Sequence, residues 1–123
     1  MAIETVGTSR ASAYDSSTSS APVDPSVITA SKAIAASTVT GTGGDLVLKL
    51  DHATKAAGAY PIDTVTYEIV RDKGNKPATW PAAKAFLMYI AGATGQEELS
   101  FEGCATLPAT IVDKVRSRID SLS

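Results

Sequence analysis

Apolar positions recur at helical spacing in three stretches of the chain. The first follows Asp24 and Pro25, which are typical of a helix start because a carboxylate caps free backbone N–H groups and proline suits the first helical position. The sequence predicts a short helix that ends near residues 37–40. One face of it carries Val27, Ala30, Ser31 and Ile34.

The second and strongest helical stretch begins at Thr79, the predicted cap, with Trp80 and Pro81 at its start. We expect Gly92 and Gly95 to end or break this helix. Residues 96–101 are expected to add a further helical turn or two, anchored by Leu99 and Phe101. The apolar stripe of the main helix consists of Ala83, Phe86, Leu87, Ile90 and Ala91.

The third stretch opens at Pro108 and predicts an amphipathic helix. Its basic residues lie toward the C-terminal end, where they complement the helix dipole. The inward positions are Ile111, Val112, Val115, Ile119 and Leu122, and the outward ones are Asp113, Lys114, Arg116 and Arg118.

Extended structure is predicted in two places. Residues 45–50 alternate only loosely and favour a short strand or an extended segment. Residues 64–71 are rich in β-branched and aromatic side chains, so they form the clearest predicted strand, and residues 72–75 follow as a turn.

Residues 5–21 are dominated by Ser, Thr, Gly and Ala, which predicts a mobile loop.

The aromatic residues indicate where the core lies. Only Tyr14 precedes residue 60, so the second half of the chain should be better packed. Phe86→Ala is accordingly expected to cost ~3–5 kcal/mol. The expected buried residues are Trp80, Phe86, Leu87, Ile90, Val112, Val115 and Ile119, with Val65, Tyr67 and Ile69 on one face of the strand.

Composition limits the class of protein. A chain of 123 residues suits one modest domain, and a net charge of −2 argues against nucleic acid as a partner. No apolar run approaches the ~20 residues of a membrane span, and the first residues show no secretory signal. The only cysteine, Cys104, excludes an internal disulfide framework and a multi-cysteine metal site.

Two segments contain residues that could form a binding or catalytic site, but their sequence context favours a structural role. The glycine-rich residues 40–44 could cradle an anion, but Asp45 and a strand-like run follow in place of a helix N-terminus, so a flexible turn is favoured. His52 adjoins Asp51, yet no Gly-x-Ser-x-Gly elbow supplies a nucleophile. A surface histidine is the favoured interpretation.

Single reactive groups elsewhere also favour structural roles. Cys104 has no neighbouring base or cation in sequence to lower its thiol pKa, so a small buried cysteine is expected. Glu97, Glu98 and Glu102 are expected on a solvated surface. We identify no catalytic, ligand-binding or metal-binding residue, require no cofactor, and expect no enzyme.

A series of short motifs in the second half resembles one family. The order and spacing from about residue 58 to 122 are similar to the C-terminal end of PstS-type phosphate-binding proteins, the receptors of phosphate ABC transporters. Residues 22–50 fit more weakly. The motifs are Tyr60-Pro61-Ile62, the strand Thr66–Val70, the helical Ala83–Leu87, Gly95-Gln96, Leu107-Pro108 and Ile111–Val115.

This resemblance implies an α/β chain with a partial type II periplasmic-binding-protein-like fold, in which few strands are covered by about three to four helices. Residues 1–21 would be a flexible segment, and residues 22–123 a single C-terminal region that crosses a hinge near residues 58–64. The family binds phosphate through upstream segments that have no counterpart here, so phosphate would bind only in a complete two-lobed receptor.

The resemblance also implies a function and a location. The chain would be a non-catalytic portion of a phosphate-binding-protein-like receptor linked to phosphate uptake, with an ABC transporter permease as a possible partner. An extracytoplasmic location would follow. The alternative is a stand-alone interaction or structural module derived from the same fold without ligand binding.

Overall fold

The computed structural model describes residues 23–123, so the predictions for residues 1–21 lie outside the described residues. The described part is a mixed fold of helices with one small antiparallel sheet, which is compatible with the predicted α/β class. The elements are α1 (Val27–Ala35), β1 (Thr38–Val39), β2 (Leu48–Lys49), α2 (Trp80–Ile90), α3 (Ala93–Phe101) and α4 (Ala109–Ser121).

Helix α1 begins with a reciprocal cap. The Ser26 hydroxyl accepts a hydrogen bond from the Thr29 amide at 3.1 Å, and the Thr29 hydroxyl accepts one from the Ser26 amide at 2.9 Å. The prediction that Asp24 caps this helix was therefore wrong. Ser26 is the cap because the Thr29 hydroxyl lies three residues further on. The backbone amides of both Ser26 and Thr29 therefore find an acceptor.

The small sheet joins β1 and β2 through the glycine-rich loop. Thr38 pairs with Lys49 and Val39 with Leu48. Of residues 45–50, for which a short strand or an extended segment was predicted, only Leu48 and Lys49 form a strand. Gly43 and Gly44 have φ values of 64° and 92°, a conformation that glycine adopts without steric cost, and they reverse the chain between the strands.

Residues 64–71, the clearest predicted strand, belong to neither strand of the sheet, and that prediction was wrong. Only Tyr67 in this segment forms an isolated β-bridge, as Val23 also does, and the segment is not part of the two-stranded sheet of residues 23–123. The Tyr67 hydroxyl attaches it to β2, since it accepts from the Leu48 amide at 2.9 Å and donates to the Leu48 carbonyl. The prediction that Val65, Tyr67 and Ile69 share a packed face also fails, because Ile69 is 94% exposed.

The core is one cluster of buried residues contributed by α1, β2, α2 and α4 and by the loops between them. Ile34 of α1 and Leu87 of α2 are buried together with the inward residues of α4. Of the predicted core, Leu87, Val115 and Ile119 are confirmed as buried, whereas Phe86 is 61% exposed. Trp80, Ile90 and Val112 are partly buried against the cluster.

Helices α2 and α3 are separated by a sharp turn at Ala91 and Gly92. Gly95 lies inside α3, so the expectation that it ends or breaks a helix was wrong. A Cβ at Gly95 would come within 2.4 Å of the Tyr89 carbonyl oxygen, which explains why the close approach of the two helices requires glycine here. Residues 96–101 are helical as predicted, but Phe101 is 82% exposed and anchors nothing within the described residues.

The C-terminal residue is fastened to the turn at residues 72–75. The Ser123 amide donates to the Asp72 carbonyl at 3.2 Å, and the Asn75 side-chain amide donates to the Ser123 carbonyl at 2.9 Å. Arg118 of α4 forms an ion pair with the Asp72 carboxylate. These bonds hold the start of α2 and the end of α4 against one turn.

We expect Ile119→Ala to lower the free energy of unfolding by about 2–5 kcal/mol, because the side chain is fully buried and leaves a cavity. Phe86→Ala should cost about 1 kcal/mol or less, since most of that ring is already in water. Urea unfolding of the isolated chain compares the two. Equal losses for both variants would contradict this core.

Candidate interaction surface

Large apolar side chains are exposed along one continuous path across the structure. The path begins beside β2, follows residues 67–70, crosses the middle of α2 and ends on α3. We call this path the apolar strip; its members are Val47, Tyr67, Ile69, Phe86 and Phe101, all of them exposed.

The centre of the apolar strip is an open concavity of about 490 Å³ between residues 68–76 and α2. Ile69 and Phe86 form its walls, with the half-buried Trp80 beside them. Arg71, Lys76 and Glu68 also line it, so this part of the strip is apolar with a border that carries charges of both signs.

Two further concavities extend the strip in opposite directions. One, of about 350 Å³, shares Ile69 and reaches Tyr67 and Val47 beside β2. The other, of about 500 Å³, shares Phe86 and lies between α2 and α3. Because neighbouring concavities share a wall residue, the three form one surface, and contiguous apolar surface of this kind marks a contact site.

The acidic border of the strip lies on α3. The Tyr89 hydroxyl donates to the Glu98 carboxylate at 2.7 Å, and this hydrogen bond raises the pKa of Tyr89, with smaller contributions from burial and from the negative charge of Glu98. Glu102 lines the same concavity next to Phe101. The end of the strip beside α3 is therefore acidic.

Gln96 holds the base of this surface in place and is itself buried. Its side-chain amide donates to the Ile90 carbonyl at 2.9 Å, and its carbonyl oxygen accepts from the Leu107 amide at 2.8 Å. One side chain thus joins the end of α2, α3 and the loop before α4. Its place in the Gly95-Gln96 motif was noted from the sequence, but periodicity gave no sign of its buried role.

The histidine and the glycine loop do not form a chemical site. His52 is exposed, and its Nδ1 lies 2.6 Å from the Pro61 carbonyl oxygen. Asp51 instead accepts from the Ala53 amide at 3.0 Å. In the loop, the Asp45 amide donates to the Thr42 carbonyl, which closes a turn as the sequence predicted.

Asp63 is a titratable residue that the sequence analysis missed. One of its carboxylate oxygens is buried without a hydrogen-bond partner in the described part of the chain. Burial raises the pKa of Asp63, while the positive charge of His52 and a backbone hydrogen bond lower it in part. No sequence pattern indicates this, because it depends on which groups fold over the carboxylate.

The remaining candidates lie apart from one another. Cys104 is buried, as predicted, and Glu97, Glu98 and Glu102 are exposed. Arg118 is paired with Asp72. Within residues 23–123 no group of His, Cys, Asp and Glu is placed to hold a metal ion. No helix in that range has the length and apolar character to cross a membrane.

Sequence comparison confirms the resemblance to phosphate-binding proteins of the PstS type. Phosphate-binding protein PstS3 of Mycobacterium bovis is 37% identical over 102 residues, which cover 81% of this chain. Phosphate-binding protein PstS 2 of Mycobacterium tuberculosis is 36% identical over 109 residues, or 85% of this chain. PstS 3 of Mycobacterium leprae is 37% identical over 102 residues. No family model matches the chain.

The match covers only a part of these relatives. The chain spans 26% of the length of the PstS3 protein and 29% of the PstS 2 protein. The similarity therefore applies to about a quarter of a phosphate-binding protein.

We expect Gln96→Met to lower the free energy of unfolding by about 2–4 kcal/mol, because it leaves the Ile90 carbonyl and the Leu107 amide without their bonds. Glu97→Met on the exposed face of α3 is the matched control and should change it by about 0.5 kcal/mol or less. Urea unfolding measures both. Indistinguishable variants would show that the two Gln96 bonds contribute nothing.

Stability should also depend on the charge of Asp63. Its pKa is raised in the folded state above the usual 3.8, so the folded chain binds more protons than the unfolded chain, and stability falls as pH rises through that interval. Asp63→Asn should remove this loss and flatten the profile. Unfolding midpoints between about pH 3 and pH 6 test it, and unchanged slopes in the variant would contradict the prediction.

Proposed function

We propose that this chain is the non-catalytic C-terminal portion of a phosphate-binding-protein-like solute receptor, linked to phosphate uptake by an ABC transporter. The observation that carries this proposal is the 36–37% identity to phosphate-binding proteins over more than four-fifths of the chain. The relatives are named for binding a solute, which supports a role without catalysis. No cofactor or nucleic acid enters the proposal.

The C-terminal placement rests on the order of elements. In the resemblance, a Tyr-Pro-Ile segment precedes a strand, a helix and a closing helix, and here Tyr60 precedes residues 64–71, α2 and α4. Residues 64–71 are rich in β-branched side chains, yet within residues 23–123 they belong to no ladder, which is consistent with a sheet whose other strands come from elsewhere. Residues 64–71 would then add to that sheet.

The proposed type II architecture gives residues 58–64 the role of a crossing between lobes. Tyr60 is fully buried, and its amide donates to the Thr29 carbonyl of α1 at 2.9 Å. Gly58 has a φ of 72°, which lets the chain turn immediately before this anchor. A fixed point beside a permissive residue is suited to a hinge.

The phosphate ligands would come from the rest of the receptor. Specific anion binding needs several converging donors. Arg118, which lies near the glycine loop, is already paired with Asp72. This chain would therefore shape the receptor without touching phosphate. The receptor would be extracytoplasmic, with the transporter permease as its partner.

The second candidate is a stand-alone interaction or structural module of the same fold. The observation that favours it is the self-contained core, in which Ile34, Val115 and Ile119 are fully buried without any further chain. Both candidates predict a folded chain, so phosphate binding distinguishes them.

We expect titration calorimetry to show that the isolated chain binds phosphate with millimolar affinity at best, about 4 kcal/mol. A chimera in which this chain replaces the matched segment of Mycobacterium tuberculosis PstS 2 should bind phosphate as tightly as PstS 2 within about tenfold. A folded chimera without phosphate binding would favour the stand-alone module. Saturable micromolar binding by the isolated chain would contradict the scaffold role.

A further inference from the structure

We propose that residues 52–63 form a proton-controlled latch on the segment that leads from β2 to residues 64–71. The latch stays closed while the Asp63 carboxyl is protonated, and it opens locally more often once that carboxyl is ionised. This goes beyond the proposed function, which gives these residues no response to pH. The latch is a property of this chain alone and does not depend on phosphate.

The loop that follows β2 is exposed along most of its length and fixed at its far end. Residues 51–57 are largely in water. Tyr60, by contrast, is fully buried, and its amide donates to the Thr29 carbonyl of α1 at 2.9 Å. An opening that frees residues 52–63 must break this bond, so the Tyr60 amide reports the opening.

The imidazole of His52 closes the loop across its base. Its Nδ1 lies 2.6 Å from the carbonyl oxygen of Pro61, nine residues further on. A carbonyl oxygen can only accept, so Nδ1 carries a proton and donates in this bond. The ring therefore changes its charge at Nε2, and the bond to Pro61 persists in both charge states. His52 is thus the part of the latch that does not depend on pH.

The Asp63 carboxyl is the part of the latch that responds to protons. It is partly buried, and one of its oxygens is enclosed without a hydrogen-bond partner in the described part of the chain. An ionised carboxylate there loses hydration that no donor of residues 23–123 replaces at that oxygen, whereas a protonated carboxyl loses much less. Burial accordingly raises the pKa of Asp63.

The charged groups around the loop act unequally on this carboxyl. The positive charge of His52 offsets part of the cost of ionisation, since it lowers the pKa of Asp63. Asp51 and Lys55 belong to the loop, and the Nζ of Lys32 of α1 lies against it. The pKa of Asp63 is shifted by none of these three groups. The latch therefore has one titrating carboxyl and one cationic partner.

The direction of the response follows from the raised pKa of Asp63. The closed segment binds the proton more tightly than the open segment, in which the carboxyl is in water. The full free energy of closing is present below the usual pKa of 3.8, and part of it is lost as pH rises through the raised pKa. Local opening therefore becomes more frequent as Asp63 ionises.

Hydrogen exchange of the Tyr60 amide, followed by NMR on the full chain and divided by its intrinsic rate, tests the latch. In the wild-type chain we expect this ratio to rise by about fivefold between about pH 3 and pH 6. Asp63→Asn should hold it constant within about twofold. The Val115 amide inside α4 should exchange about tenfold more slowly throughout, because the opening is local.

Two further variants separate the carboxyl from its surroundings. Asp51→Asn is the matched control, because it removes the same charge from an exposed carboxylate of the same loop. It should leave the pH profile of the Tyr60 amide unchanged within about twofold. His52→Ala removes the bond across the base, so opening should rise about three- to tenfold at every pH in this range.

The ring of His52 provides a second readout, since this is the only histidine of the chain and its NMR signal is unambiguous. We expect that signal to shift in the interval above pH 3.8 where Asp63 titrates, and Asp63→Asn to remove the shift. The proposal is overturned if the wild-type ring shows no such step, or if the wild-type chain and Asp63→Asn share one Tyr60 profile. Equal exchange of the Tyr60 and Val115 amides would also overturn it. Phosphate is absent from these measurements, so a failed receptor role and a failed latch are distinguishable.

Discussion

The fold depends on the burial of one face of α4. Helices of this length are marginal in water on their own, so α4 persists because Ile111, Val115 and Ile119 leave water together. The groups that receive them come from separate parts of the chain, with Ile34 in α1 and Leu87 in α2. Positions far apart in sequence are thereby held around one helix.

The same arrangement accounts for what is left exposed. The apolar face of α4 packs against one side of α2. Gln96 and Gly95 hold α3 close to the C-terminal end of α2. The other side of α2 then faces outward with Phe86, and α3 presents Phe101. No other helix or strand of residues 23–123 covers that side, so the choice of core and the exposure of the apolar strip have one cause.

Periodicity was sufficient to predict the helices and insufficient to predict their partners. The start and apolar face of α4 follow from spacing alone, because one side of this helix is buried and the other is solvated. The apolar stripe of α2 is wider than the side of this helix that the core covers. Spacing alone therefore wrongly predicted that Phe86 is buried. The strand at 64–71 failed for a related reason, since a ladder needs a neighbour that composition cannot supply. Gln96 and Asp63 were missed because their roles depend on groups brought together only by folding.

The loop between α3 and α4 carries a natural reporter of local motion. Cys104 is the only thiol of the chain and is buried in this loop, with its amide bonded to the Leu99 carbonyl at 3.0 Å. Two residues further on, the Thr106 carbonyl accepts from the Ser31 hydroxyl of α1 at 2.7 Å. Because Cys104 is buried, a thiol reagent reaches it only when the loop opens locally, so its reaction rate reports that opening. Modification of Cys104 therefore measures local opening of the loop between α3 and α4 separately from unfolding of the whole chain.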